Sequence, residues 1–322
     1  MNQRFCIDNN QVADGATGLV WSRDAALSEF PLTWQESFAF LEELNARSFE
    51  GHCDWRLPNR RELFSLIRHD RINPALPADH PFENVFPGYY WTATTCARLP
   101  DQAWYIHLGG AKVYRGMKYA SCMVWPVRTQ NASPPSVLRT GQRQCFDETG
   151  RVIHCSNTIQ AVSVSSGKPW PEPRFKADKH IVTDLATGLN WMRQADAGGK
   201  MVSWQTAADM IAKMNQEGAM GYSDWRLPEI REFENLVDMG THSPALAGRD
   251  LFSGVRDFYW SATTSLYETR YAWALYLKDG AVGVGFKENP EFFTWPVRCS
   301  KAFQTPARRE KQADGTYSAS SD

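Results

Sequence analysis

The chain predicts an α+β fold built twice in tandem, each unit holding two helices beside a small antiparallel sheet. Three observations carry that prediction. Sliding the 322 residues against themselves by 170 aligns positions 4–89 with 174–259 without a gap, and roughly thirty of those positions are identical. Twelve of the thirteen tryptophans fall into matched pairs, Trp21/191, Trp34/204, Trp55/225, Trp91/260, Trp104/273 and Trp125/295, as expected of side chains held by packing. Finally, hydrophobic spacing within each unit passes from strand-like to helix-like and back.

The elements repeat in one order. "VADGATGLVW" (Val12–Trp21) and "VTDLATGLNW" (Val182–Trp191) read as strands joined by a Thr-Gly turn. A helix follows from Trp34, with Thr33 and Glu36 as a capping box and Trp34, Phe38 and Leu41 on one face. Trp204, Ala208 and Ile211 repeat that face. A second helix starts past "DWRLP", where Asn59 caps, Glu62 stands at the third helical position, and Leu63, Leu66 and Ile67 face inward. "YYWTATT", "AWYIHL" and "CMVWPVR" close the unit as antiparallel strands. A one-residue slip pairs Tyr90–Thr95 with Tyr259–Thr264 and closes again before the two "WPVR" strings, Trp125–Arg128 and Trp295–Arg298. The domain plan is copy 1 over 1–129, a Ser/Pro-rich linker over 130–173, copy 2 over 174–300, and a polar, disordered tail over 301–322.

Composition bounds the function. With 35 Lys plus Arg against 36 Asp plus Glu, the whole chain has no bulk charge for nucleic acid. No apolar run has the length of a membrane span. Met1 leads straight into "NQRFCIDNN", so the expectation is either a cytoplasmic protein or an exported one whose signal segment lies outside this chain. Seven cysteines favour an oxidising compartment. Cys145 and Cys155 bracket a short hairpin and are a candidate disulfide, as are Cys96 and Cys122; the odd count leaves at least one thiol free or paired between chains. No spacing matches a zinc site, and no cofactor or metal is expected.

"TGLVW … TWQES … GHCDWRLPNRREL … YYWTATT … WPVR", with its second version "TGLNW … SWQTA … GYSDWRLPEIREF … YWSATT … WPVRC", resembles the Lcl C-terminal domain family over about 250 residues of the chain. That resemblance implies a bacterial secreted or envelope protein, and an adhesin of this type binds sulfated polysaccharide. More distantly, "WRLP…RE" is similar to a string of formylglycine-generating enzymes, which implies a C-type-lectin-like fold but not their chemistry. The reactive cysteine pair of those enzymes and the calcium-lectin strings "EPN", "QPD" and "WND" have no counterpart here.

Asp54, Trp55, Arg56 and Glu62, with copies Asp224, Trp225, Arg226 and Glu232, read as structural: an Arg–Glu pair that fixes the strand-to-helix corner rather than an acid/base set. The histidines are scattered and give no nucleophile–base pair, so a non-enzymatic protein is expected. What differs between the copies points to a ligand site. Arg60, Arg61, Arg68 and Arg71 form a basic cluster in copy 1 alone. Over 98–128, Arg98, Lys112, Arg115, Lys118 and Arg128 stand against Asp101, whereas four acids cancel four bases over 265–298. Tyr114 and Tyr119 interleave those cations, and Trp104 lies on the neighbouring strand. Such residues suit an anionic glycan, with cations on the anions and rings on the sugars. Tyr267, Tyr271, Phe286 and Phe292 form a corresponding aromatic region in copy 2. The alternative is an envelope assembly subunit, oligomeric and without a small ligand; third in order stands an enzyme whose site the sequence does not reveal.

Overall fold

The computed structural model describes residues 4–130, 135–156 and 158–299, together with a short ladder of Glu310–Lys311 on Tyr317–Ser318. Apart from that ladder, the tail read as disordered lies outside the described residues.

Copy 1 runs β1 (Phe5–Asp8), β2 (Gln11–Asp14), β3 (Leu19–Ser22), β4 (Leu32–Thr33), α1 (Trp34–Ala46), α2 (Arg60–Leu66), β5 (Tyr89–Thr95), β6 (Gln102–His107), β7 (Lys112–Met117), β8 (Ser121–Cys122) and β9 (Val127–Thr129). The connector adds β10 (Cys145–Phe146), β11 (Val152–Ile153) and α3 (Ile159–Ser165). Copy 2 repeats the plan with β12 (Phe175–Ala177), β13 (Ile181–Asp184), β14 (Leu189–Met192), α4 (Trp204–Gln216), α5 (Ile230–Leu236), β15 (Phe258–Thr264), β16 (Tyr271–Tyr276), β17 (Ala281–Phe286) and β18 (Val297–Cys299). The tandem α+β architecture is therefore present, with both capping boxes of copy 1 formed, Thr33 with Glu36 and Asn59 with Glu62.

Each copy closes a four-stranded sheet by returning its last strand to the first hairpin, in the orders β1-β2-β3-β9 and β12-β13-β14-β18. The remaining hairpins do not form two separate sheets. They join edge to edge as β15-β16-β17-β7-β6-β5, so one six-stranded sheet runs through both copies. Neither central edge is left to solvent.

Packing follows the same division. Trp34, Phe38, Leu41, Trp55 and Trp91 make a core private to copy 1, and Ile211, Trp225, Leu227 and Trp260 make its equivalent in copy 2. A third core is common to both: Leu63, Phe64 and Ile67 with Ile230, Phe233 and Val237, and Val113 with Val282. Eleven of the twelve repeated tryptophans are buried, and only Trp204 is half-exposed.

The connector is not the loose linker its composition suggests. Cys145 and Cys155 are bonded, and the strap they staple lies on copy 1. Ser163 Oγ donates to the Leu57 carbonyl at 2.8 Å, and Ser166 Oγ sits 2.6 Å from Glu62 and 2.7 Å from Arg56. Serine-rich sequence that reads as flexible is here the donor set that satisfies a buried corner. The second candidate bridge does not exist. Cys96 and Cys122 are buried free thiols, one in the shared core and the other in the private core of copy 1, and so lie in separate cores.

Candidate functional site

The "DWRLP" corner is built from two side chains. Arg56 and Glu62 pair at 2.7 Å with both side chains buried, and Glu62 also accepts the Asn59 N–H. Arg226 and Glu232 repeat this at 2.5 Å. Asp54 and Asp224 are not part of the pair. They are half-exposed and reach the "WPVR" arginines, Arg128 at 2.8 Å and Arg298 at 2.6 Å. Trp55 and Trp225 are buried and donate to the Phe49 and Ala219 carbonyls. Asn45 and Asn215 clamp the corner through both backbone groups of those tryptophans.

The basic cluster of α2 does not form a surface. Arg60 is fully buried between the copies, where it meets Glu234 and the Gly280 carbonyl, each at 2.6 Å, and lies over the Trp104 ring at 4.2 Å. Arg61 is buried too, donating to the Glu234, Asn235 and Val237 carbonyls that end α5. Copy 2 sets the Glu234 carboxylate against Arg60, so that part of the charge difference between the copies is met at their interface. Arg68 pairs with Asp70 at 2.7 Å and Arg71 is exposed beside it, in a turn whose Asn73 N–H donates to the Gly109 carbonyl.

Lys118 and Trp104 also leave the candidate surface. Trp104 is buried under Arg60. Lys118 is covered by the connector: Nζ donates to the Asp147 carbonyl at 2.7 Å and lies 4.0 Å from the Trp34 ring centre. Burial pushes its pKa down to about 7. Tyr119 is exposed but does not line the groove that gathers the other candidates. In copy 2, Phe292 belongs to the core.

What remains comes together at the copy–copy junction. Arg98, Lys112, Tyr114 and Arg115 line a groove of about 630 Å³ with Phe258, Tyr267, Tyr271, Tyr276, Lys278 and Asp279. Tyr267 is 70% exposed and Tyr114 37%, with the Arg115 guanidinium 4.8 Å from the Tyr114 ring centre. Phe258 and Tyr276 pack edge to face at 5.2 Å along the floor. Gly283 makes that floor possible, because a Cβ there would stand 2.7 Å from the Tyr276 ring. Arg115 is tied to Asp279 at 2.8 Å, with Arg98 at 3.7 Å from the same carboxylate. Lys112 and Lys278 are exposed, and no carboxylate pairs with either among the described residues. Lys112 Nζ lies 4.8 Å from the Tyr114 ring centre. The sequence missed Lys278, Asp279, Tyr276 and Phe258 because it treats the copies separately; the only signal was that Asp279 and Tyr267 stand where copy 1 has Gly110 and Arg98.

A duplicated α+β module with a ring-lined groove at its junction defines a tandem domain protein. The model of the Lcl C-terminal domain matches residues 10–128 and again 180–298, and the chain belongs to that family. Compared with proteins of curated function, the chain finds no match.

Proposed function

We propose that the protein is a non-enzymatic, adhesin-like binding protein of the secreted or envelope class, and that its cross-copy groove takes an anionic glycan. The observation that carries this is the company kept by Lys112 and Lys278. Two unpaired ammonium groups flank exposed tyrosine faces, the combination that suits an acidic group on a sugar ring. Copy 1 contributes Lys112 and Tyr114, and copy 2 contributes Tyr267, Tyr271 and Lys278, so the ligand requires both. We also place each copy in the C-type-lectin-like group, on the "WRLP…RE" string whose Arg–Glu pair ties each corner.

The test is retention of the whole chain on immobilised sulfated, carboxylated and neutral glycans across a salt series. Salt-sensitive retention on the acidic glycans, lost in Lys112→Glu/Lys278→Glu and weakened in Tyr267→Ala, is the expected result. No retention by the folded protein would move the weight to envelope assembly through protein contacts.

A further inference from the structure

The two sides of the copy–copy interface differ in what covers them. On one side, connector residues 139–147 lie in a crease between the end of β5 and the loop after α5. The Thr95 N–H donates to the Gln142 side-chain oxygen at 2.9 Å, and the Met239 N–H donates to the Thr140 carbonyl at 3.0 Å. Arg61 reaches the Arg139 carbonyl, and Lys118 the Asp147 carbonyl. The counterparts of Thr95, Met239 and Lys118 are Thr264, His69 and Lys287.

Thr264 and His69 edge a groove of about 610 Å³ between the end of β15 and the Arg68–Asp70 turn. Among the described residues, nothing like the connector occupies it. Among those residues no side chain takes the Thr264 N–H, no carbonyl outside a helix or strand takes the His69 N–H, and none partners the buried His69 Nε2. Lys287 turns back onto Thr264 Oγ1 at 2.8 Å. Nearby, Arg226 and Glu232 stay 39% and 18% exposed, against 2% and 0% for the Arg56–Glu62 pair that Ser166 covers.

We propose that this groove docks the chain's own C-terminal segment, residues 301–322, in the manner of 139–147 in the filled crease. The chain leaves copy 2 at Cys299, whose Sγ lies 3.8 Å from Arg226, just as Thr129 lies 3.3 Å from Arg56 where the connector departs. From Thr129 the connector enters its crease by Thr140 and then turns in a hairpin closed by Cys145 and Ile153. The 23 residues that follow Cys299 are one fewer than that course takes to reach Ile153, and they carry a strand pair of the same span, closed by Glu310 and Ser318. Gln304, Glu310 and Gln312 bring the type of side-chain oxygen that Gln142 offers Thr95.

Hydrogen exchange on the full chain and on a chain ended after Ser300 tests this. Removal of the segment is expected to speed exchange at 68–70 and 263–265 by about ten-fold or more, while Thr95 and Met239 stay unchanged as an internal control. A synthetic 301–322 peptide added to the shortened chain is expected to restore the protection. Equal exchange in the two chains overturns the proposal. So does protection that depends on protein concentration, which would assign the groove to the tail of a second molecule.

Discussion

Val113 and Val282 hold the same position in the two copies and are direct partners across the β7–β17 strand pair. A residue that faces its own counterpart marks the axis relating two units, so the copies meet as a symmetric dimer does, although one chain makes both. The helices obey the same axis: Arg61 donates to the Val237 carbonyl, and Arg231, its counterpart, donates to the Ile67 carbonyl.

A chain divided in the connector is therefore expected to behave as two partners rather than two domains. A copy 1 fragment exposes Leu63, Phe64 and Ile67, and a copy 2 fragment exposes Ile230, Phe233 and Val237. Pairing copy 1 with itself would bury Arg60 without Glu234. Co-expressed halves should purify as a one-to-one complex, and each half alone should aggregate or unfold at a lower temperature. A monomeric copy 1 fragment with the Tm of the full chain would refute the shared core.

The Arg60–Glu234 pair has a built-in comparison, because its counterparts across the axis are Ile230 and Phe64. Among the described residues, Arg60 Nε and Nη1 and Glu234 Oε1 have no hydrogen-bond partners, so the buried pair is incompletely satisfied. Removing one member strands a buried charge, and Glu234→Ala should cost about 3–5 kcal/mol. The double replacement Arg60→Ile/Glu234→Phe copies the apolar side and should recover most of that loss. Urea unfolding of the two singles and the double measures it; losses that simply add would contradict the coupling.

How much of this the sequence disclosed follows from where each interaction lies. Capping boxes, tryptophan cores and the Arg56–Glu62 corner depend on residues close in the chain, and local spacing reveals them. Arg60 and Arg61 look like a solvated basic face on α2, because nothing local announces that Glu234 and the end of α5 will meet them. Lys118 is misread for the same reason, its cover being a connector whose composition resembles a flexible linker. The groove spans copies that periodicity describes one at a time, so Arg98, Lys112, Tyr114 and Arg115 were legible and Lys278 and Asp279 were not.

Asp279 is the acidic brake on the groove, holding Arg115 and facing Arg98. Its counterpart is Gly110, so Asp279→Gly is a substitution the duplicated fold already accommodates in copy 1. Freeing both guanidinium groups should strengthen retention on acidic glycans and steepen its salt dependence. Elution moving to higher salt on a sulfated matrix is the expected outcome, with retention on neutral glycan unchanged. Unaltered elution would show that the ligand contacts neither arginine.

His69 gives the fold a pH dependence of known sign. Its ring packs between Phe64 and Trp273, and burial, with Arg231 and Arg68 nearby and Asp70 opposing them, lowers its pKa to about 3. In the unfolded chain the imidazole regains its ordinary pKa near 6.5. Between those values the unfolded state binds the proton that the folded state refuses, so stability falls as pH drops from about 6.5 towards 3. Met239 occupies the same place across the axis, and His69→Met removes the titration while keeping a side chain that fits. The urea midpoint of the wild type should therefore fall faster than that of His69→Met between pH 7 and pH 4, because the carboxylates common to both proteins cancel in the difference. Parallel pH profiles would mean that His69 takes up its proton in the folded protein, with the Phe64–Trp273 packing opening to admit water.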